Sequence, residues 1–212
     1  MARADEIRAN VAALEARIAA ACARAGRARS EVTLVAVSKT FPASDVAIAI
    51  DAGMTDIGEN KVQEARDKKP LVARAARWHL IGHLQSNKAK DAVRLFDVIQ
   101  TVDSPDLAEK IARLDARPEL LLQVNIGREP QKSGVDPSEV PALAKRIAPR
   151  GLMAIPPVGE PEEMRSYFRE LRALRDACGL AELSMGMTDD FEVAIEEGAT
   201  IIRVGRAIFG SR

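Results

Sequence analysis

Aromatic residues, cysteines and histidines are all scarce in this chain of 212 residues. Phe, Trp and Tyr together make up 3% of the sequence, and there are two cysteines and two histidines. Cys22 and Cys178 lie far apart at helical core spacing, so they predict buried free thiols in a reducing compartment rather than a disulfide framework. His79 and His83 are four residues apart across a strand end, and no cysteine or carboxylate set accompanies them, so no metal site is expected.

The chain also lacks an excess of charge of either sign and a long apolar run. It has 31 Lys and Arg residues against 31 Asp and Glu residues, so its net charge gives no reason to expect nucleic acid or an anionic membrane as a partner. A local phosphate site is compatible with that balance. No run approaches the ~20 apolar residues that span a bilayer, and the charged, alanine-rich N-terminus does not resemble a signal peptide. We therefore expect a soluble cytoplasmic protein.

Apolar residues make up 47% of the sequence, and they recur in alternating helical and strand patterns. A stripe of apolar residues from Ile7 to Cys22, at spacings of three and four, predicts an N-terminal helix that Gly26 closes. Eight runs then predict strands, each followed by a helix, although the last helical segment is short and covers only 206–210. The predicted strands lie within 32–41 and at 56–60, 78–82, 98–102, 120–126, 152–155, 183–185 and 200–204.

Eight βα units in a chain of this length favour a closed parallel barrel, because an open sheet of eight strands would leave edges and normally contains a switch in strand order. A doubly wound open sheet is the alternative. No linker or low-complexity stretch divides the sequence, so we expect one domain over 1–212, with the additional helix over 1–26 and the barrel over 32–210. The predicted fold class is α/β, a (β/α)8 TIM barrel with an extra N-terminal helix.

Lys39 follows an unbroken β-branched run that begins at Val32 and is typical of a strand buried on both faces. A lysine in that position emerges at the carboxyl end of the strand, where α/β proteins place their chemistry. Desolvation there favours the neutral amine, which condenses with carbonyl groups. The alternative is a strand-end lysine that simply reaches water.

The loops after the seventh and eighth strands are where barrels recurrently bind phosphate. Thr188 offers a hydroxyl at the predicted start of a helix, Gly205 allows close approach of the backbone, and Arg206 begins the final helical turn. Ordinary capping and barrel closure would explain the same residues. Together with Lys39, they predict a ligand that has both a phosphate and a carbonyl group.

Arg203 lies within the apolar strand Ile201 to Val204, where a guanidinium is costly unless it meets a carboxylate or a ligand acceptor. Asn60, at the end of the second strand, can hydrogen-bond a ligand from the same rim, or can cap its own loop. Trp78, His79 and Gln85 are expected to help wall the pocket.

Short motifs from Val32 to Gly210 resemble one family. The matching stretches are AVSK at 36–39, GEN at 58–60, WH at 78–79, IG at 81–82, LQ at 84–85, QVNI at 123–126, GLM at 151–153, SMGM at 184–187, RVG at 203–205 and IFG at 208–210. In number and order they resemble the pyridoxal phosphate homeostasis proteins, which are similar in fold to the N-terminal barrel of bacterial alanine racemase, the type III fold of enzymes that use pyridoxal 5′-phosphate (PLP).

The resemblance implies a role for each candidate residue. It implies that Lys39 forms the internal aldimine with PLP and that Arg203 faces the pyridine nitrogen. It also implies that Thr188, Gly205 and Arg206 hold the phosphate. Two positions depart from the family pattern: Thr188 stands where serine is usual, which keeps the hydroxyl, and Arg206 stands where a small hydroxyl residue is common, which preserves only the backbone contact.

The function that the resemblance implies is non-catalytic PLP storage or delivery inside the cell, by a monomer whose recipients are PLP-dependent apo-enzymes. One alternative is a PLP-dependent amino-acid racemase, and another is a cofactor-free barrel enzyme that uses Lys39 on a phosphorylated sugar. Two-base racemisation needs an acid/base group on each face of the α-carbon. The only tyrosine, Tyr167, falls on the apolar helix before the seventh strand, and the sequence stops soon after the eighth strand, so we expect no racemase activity.

Overall fold

The computed structural model describes residues 2–114 and 118–210 and shows a closed barrel of eight parallel strands in sequence order. The strands are β1 (Thr33–Val37), β2 (Asp56–Glu59), β3 (Arg77–Leu80), β4 (Val98–Val102), β5 (Glu119–Val124), β6 (Gly151–Ala154), β7 (Glu182–Ser184) and β8 (Ile201–Val204). β1 pairs with β2 on one side and with β8 on the other. The predicted barrel is confirmed, and the open-sheet alternative is wrong because the strands close on themselves.

Helices alternate with the strands and cover the outside of the barrel. They are α1 (Arg3–Arg24), α2 (Ala43–Asp51), α3 (Val62–Lys68), α4 (Ala89–Leu95), α5 (Pro105–Ala112), α6 (Val140–Ile147), α7 (Arg165–Ala177), α8 (Phe191–Glu196) and α9 (Arg206–Phe209). α5 begins as the sequence indicates, because Ser104 Oγ accepts the Leu107 amide and Pro105 occupies the first turn.

The prediction that Thr188 caps a helix is wrong. α8 begins at Phe191, and residues 188–190 form a turn before it. The turn is held because Asp190 Oδ1 accepts the Met187 amide at 2.6 Å. Thr188 therefore lies on a loop, with its hydroxyl outside the helix it was expected to start.

α1 packs against α2, α8 and α9 on the outside of the barrel. Its buried stripe runs from Ile7 to Cys22, as predicted. Two polar side chains of α1 also hold the end of α9: Arg3 donates to the Phe209 carbonyl at 2.8 Å, and Asn10 donates to the Ile208 carbonyl at 3.0 Å. The helix that precedes the barrel is thus attached to its last helical turn.

The two cysteines differ in their surroundings. Cys22 is buried, whereas Cys178 is only half-buried just beyond α7, so the prediction of two buried thiols is wrong for the second. Partial burial still raises the pKa of the Cys178 thiol. No helix in the described ranges is both long enough and apolar enough to span a membrane.

Candidate functional site

A cavity of about 370 Å³ opens at the carboxyl ends of the barrel strands. Its size is within the usual range for pockets that hold small molecules. The six site residues that the sequence singled out all line it: Lys39, Asn60, Thr188, Arg203, Gly205 and Arg206. Its apolar lining is formed by Val37, Ile81, Ile155 and Met187.

Lys39 lies two residues beyond β1, at a sharp turn of the backbone. The next residue, Thr40, has a φ of 70°, a left-handed conformation that costs a non-glycine residue about 1 to 3 kcal/mol. The turn is held because the Thr40 amide donates to Glu64 Oε1 at 2.9 Å and because Phe41 stacks on Phe209, with ring centroids 5.1 Å apart. These contacts fix the path of the chain at the point where Lys39 meets the cavity.

A buried ion pair joins the ends of β1 and β2. Lys68, the last residue of α3, donates to the Ser38 carbonyl at 2.8 Å and pairs with Glu59. The Ser38 hydroxyl donates to Glu59 Oε1 at 2.6 Å. Burial raises the pKa of Glu59, although its bonds to Lys68 and Ser38 oppose that shift. Since Ser38 precedes Lys39 and Glu59 precedes Asn60, the pair fixes both strand ends that carry these two site residues.

Arg203 is buried in β8 and touches the cavity. Its Nη1 donates to Ser184 Oγ at 2.5 Å, and its Nη2 donates to the Ala154 carbonyl at 2.9 Å. Burial lowers the pKa of Arg203 to about 10, while the charge of Asp190 acts in the opposite direction, so the guanidinium stays protonated at neutral pH. Within the described part of the chain its hydrogen bonds go to uncharged oxygens, and its remaining N–H groups suit a ligand acceptor.

Thr188, Gly205 and Arg206 line the same cavity, where Thr188 supplies a hydroxyl. A Cβ on Gly205 would lie 3.0 Å from the Val37 carbonyl oxygen, so glycine allows β8 to leave the barrel close to β1. In the first turn of α9, the Arg206 amide has no acceptor within the helix. The Arg206 side chain is exposed and pairs with Asp189 at the rim. The group that Arg206 offers to the cavity is therefore its backbone amide.

The two histidines lie in different environments. His79 is buried in the barrel interior, whereas the exposed His83 contacts Asp103 at 2.9 Å. Trp78 packs on the outer side, with Lys69 Nζ 5.7 Å from its ring centroid. The expectation that Trp78 and His79 wall the cavity is therefore wrong. Both lie in β3 below the rim of the barrel, where the Trp78 side chain points outward and the His79 side chain points inward. Gln85, the third expected wall residue, lies on a neighbouring cavity.

Across residues 2–114 and 118–210, no group of three or more His, Cys, Asp or Glu side chains is arranged to hold a metal ion.

Comparison with known proteins identifies the family. The family model for the N-terminal domain of alanine racemase matches residues 9–212. The pyridoxal phosphate homeostasis protein of Escherichia coli strain K12 is 41% identical over an alignment of 235 positions, which covers 98% of this chain and 97% of that protein. The chain belongs to the pyridoxal phosphate homeostasis protein family. The resemblance inferred from its motifs is confirmed.

Two solved structures are similar to this member of the homeostasis family over nearly its whole length. A protein from Bifidobacterium adolescentis is 41% identical, with a TM-score of 0.92 and coverage of 98% of this chain and 96% of that one. PipY of Synechococcus elongatus PCC7942, solved with PLP bound, is 38% identical, with a TM-score of 0.83 and coverage of 96% of this chain and 100% of PipY.

Proposed function

We propose that this protein binds PLP in the cavity at the carboxyl end of the barrel, with Lys39 as the residue that forms the Schiff base. The observation that carries the proposal is the convergence of three chemistries on one cavity. Lys39 supplies an amine for an aldehyde, Arg203 supplies N–H donors for a ring nitrogen, and Thr188 with the backbone at Gly205 supplies donors for a phosphate.

The shape of the site supports the same assignment. A Cβ on Gly205 would lie 3.0 Å from the Val37 carbonyl oxygen, so a side chain there would crowd the end of β1 beside the cavity. Asn60 lines the same cavity and can hydrogen-bond a ring substituent. Together with the PLP bound by PipY, these features favour PLP over a sugar phosphate as the ligand.

The proposed role is non-catalytic storage and delivery of PLP in the cytoplasm, with PLP-dependent apo-enzymes as recipients. Bound PLP supplies an aldehyde and an electron-withdrawing ring. Arg203 carries a pKa of about 10, so it donates a hydrogen bond but transfers a proton poorly at neutral pH. Tyr167 packs against the outer core, and the carboxylate of Asp189 is paired with Arg206. Lys39 is therefore the acid/base group that the cavity offers to an amino acid.

The protein is proposed to act as a monomer. Among the described residues, large apolar side chains are exposed at Leu71, Ile155, Val158 and Met187. Ile155 and Met187 line the cavity, so their exposure is explained by the ligand site. The other two do not form the large apolar patch that marks a stable subunit interface.

A visible spectrum tests the binding proposal. Protein incubated with PLP and then freed of excess ligand is expected to show an absorption band in the visible range, which borohydride should abolish while fixing the mass of PLP to the protein. Bovine serum albumin treated in the same way gives the background from surface lysines. A spectrum no different from that background would contradict the proposal and favour the sugar-phosphate alternative.

Exchange in deuterated water tests the absence of catalysis. The PLP-loaded protein incubated with L-alanine should form D-alanine no faster than free PLP at the same concentration, because racemisation needs a second acid/base group on the face opposite Lys39. Among the described residues, Tyr167 packs against the outer core and Asp189 is paired with Arg206. The measurements are deuterium incorporation by NMR and D-alanine by chiral chromatography. Formation of D-alanine at about 1 per second or faster, the low end of typical enzymes, would favour the racemase.

A further inference from the structure

Five buried polar side chains form one continuous chain of hydrogen bonds across the interior of the barrel. Each comes from a different strand, and the order along the chain is Asp56, His79, Gln100, Ser184 and Arg203. The successive contacts measure 2.7 Å, 3.0 Å, 2.6 Å and 2.5 Å. The chain therefore leads from the first residue of β2 to the guanidinium that touches the cavity.

The chemistry of its members gives this chain a single direction. Arginine can only donate, so Ser184 Oγ accepts from Arg203, and the hydroxyl proton of Ser184 is donated to Gln100 Oε1. The amide nitrogen of Gln100 consequently faces His79 Nδ1, which must accept. His79 then carries its proton on Nε2 and donates it to Asp56 Oδ1. All four bonds are satisfied by a neutral imidazole in that tautomer.

The far end of the chain is a carboxylate. Burial would raise the pKa of Asp56, but hydrogen bonds from His79 and Thr55 outweigh it, and the net effect is a lowered pKa. Asp56 is therefore ionised at neutral pH. A negative charge at one end and a positive charge at the other polarise every bond between them in the same sense, and bonds polarised in this way strengthen one another in a low dielectric.

The hydrogen-bonded side chains behind Arg203 contribute to holding its buried guanidinium. Burying a guanidinium is costly unless its charge is compensated. The carboxylate whose charge acts on Arg203 is that of Asp190, but among the described residues it forms no hydrogen bond with Arg203. Burial also raises the pKa of Asp190. Two of the donors of Arg203 are held by Ser184 and Ala154. Ser184 is in turn held by Gln100, so the orientation of the guanidinium plane depends on the chain behind it.

We propose that Asp56 is a positioning residue which, through His79, Gln100 and Ser184, holds the guanidinium of Arg203 in the plane that binds the ring nitrogen of PLP. This inference rests on the proposed function and adds a remote determinant of it. Asp56, His79 and Gln100 do not line the cavity, so they act on the cofactor only through Arg203.

The first test uses the protein without PLP. Nitrogen-15 NMR should find His79 neutral and protonated on Nε2 at pH 7. In Asp56→Asn, the guanidinium resonances of Arg203 should shift, whereas they should not in Asp97→Asn. That control makes the same substitution on an exposed carboxylate that accepts the Trp78 amide at 2.8 Å outside the barrel. A doubly protonated His79, the other tautomer, or unchanged Arg203 resonances would overturn the proposal.

The second test uses the PLP-loaded protein. Asp56→Asn should shift the visible absorption maximum and raise the dissociation constant of PLP about 10-fold. In metal sites, removing a group that orients a ligand residue weakens binding by about 10-fold or more. Asp97→Asn should match the wild-type protein in both measurements. A double-mutant cycle with Gln100→Leu, which interrupts the chain at its centre, isolates the coupling.

In the Gln100→Leu background, Asp56→Asn should have no further effect on the spectrum or the affinity. Additive effects in the cycle would contradict the proposed chain. If Asp56→Asn is poorly folded, His79→Gln provides a second break at the next position and should reproduce the same spectral shift. Failure of the wild-type protein to bind PLP would refute the proposed function, and the NMR test on the unloaded protein would still decide whether Asp56 controls Arg203.

Discussion

Lys39→Ala is expected to abolish covalent attachment of PLP while leaving weaker, non-covalent binding through the phosphate. The amine of Lys39 is the one that lines the cavity together with Arg203 and Thr188, and alanine cannot form a Schiff base. Mass spectrometry after borohydride reduction and proteolysis measures the result directly. In the wild-type protein the PLP mass should be found on the peptide that contains Lys39.

Two variants serve as controls for that experiment. Lys61→Ala removes an exposed lysine that follows Asn60 and should leave the adduct unchanged. Thr188→Ala deletes one hydrogen bond to a charged phosphate, worth about 1.5 to 3 kcal/mol, so it should weaken binding but keep the adduct on Lys39. A reduced adduct on any other lysine of the wild-type protein would refute the assignment.

Lys68→Met is expected to lower the free energy of unfolding by about 3 to 5 kcal/mol, the usual effect of removing one partner of a buried ion pair. The Lys68 side chain is 8% exposed and that of Glu59 is fully buried. Without Lys68 the carboxylate retains the Ser38 hydroxyl as its donor, and Glu59 Oε2 already lacks a partner among the described residues. Urea unfolding followed by circular dichroism measures the change.

The matched control is Lys90→Ala on the exposed side of α4, where a surface substitution should change stability by about 0.5 kcal/mol or less. Adding Glu59→Gln to Lys68→Met should recover part of the loss, because the buried charge is then removed as well. Equal stability of Lys68→Met and the wild-type protein would show that the pair contributes nothing to the fold.

The sequence predicted the architecture well because each strand is a short apolar run between turn residues. β4 was predicted at its observed bounds, and the other strands differ by a few residues at their ends. The position of Lys39 just beyond β1 was also predictable, since an apolar run followed by a lysine marks a strand end. Closure of β1 onto β8 followed from the number of repeats rather than from any local signal.

The interior of the barrel was not predictable in the same way. Asp56, His79 and Gln100 lie in different strands, and nothing in one strand's pattern shows that its polar residue will meet another across the barrel. The ion pair of Lys68 with Glu59 was missed for a related reason: Lys68 looks like an ordinary helix-end lysine. The loop at Thr188 was mistaken for a helix start because threonine is a common capping residue, whereas here the Asp190 side chain closes the turn.

α1 packs on α9 and β1 pairs with β8, so the first elements to be synthesised complete their packing only when the last ones have been made. Lys39 is synthesised early and Gly205 late, so a nascent chain carries Lys39 long before it has the rest of the pocket. Until β8 is made, β1 is an open sheet edge able to pair with other chains. If the pocket binds PLP as proposed, PLP capture requires that synthesis has passed β8 and that the barrel has closed.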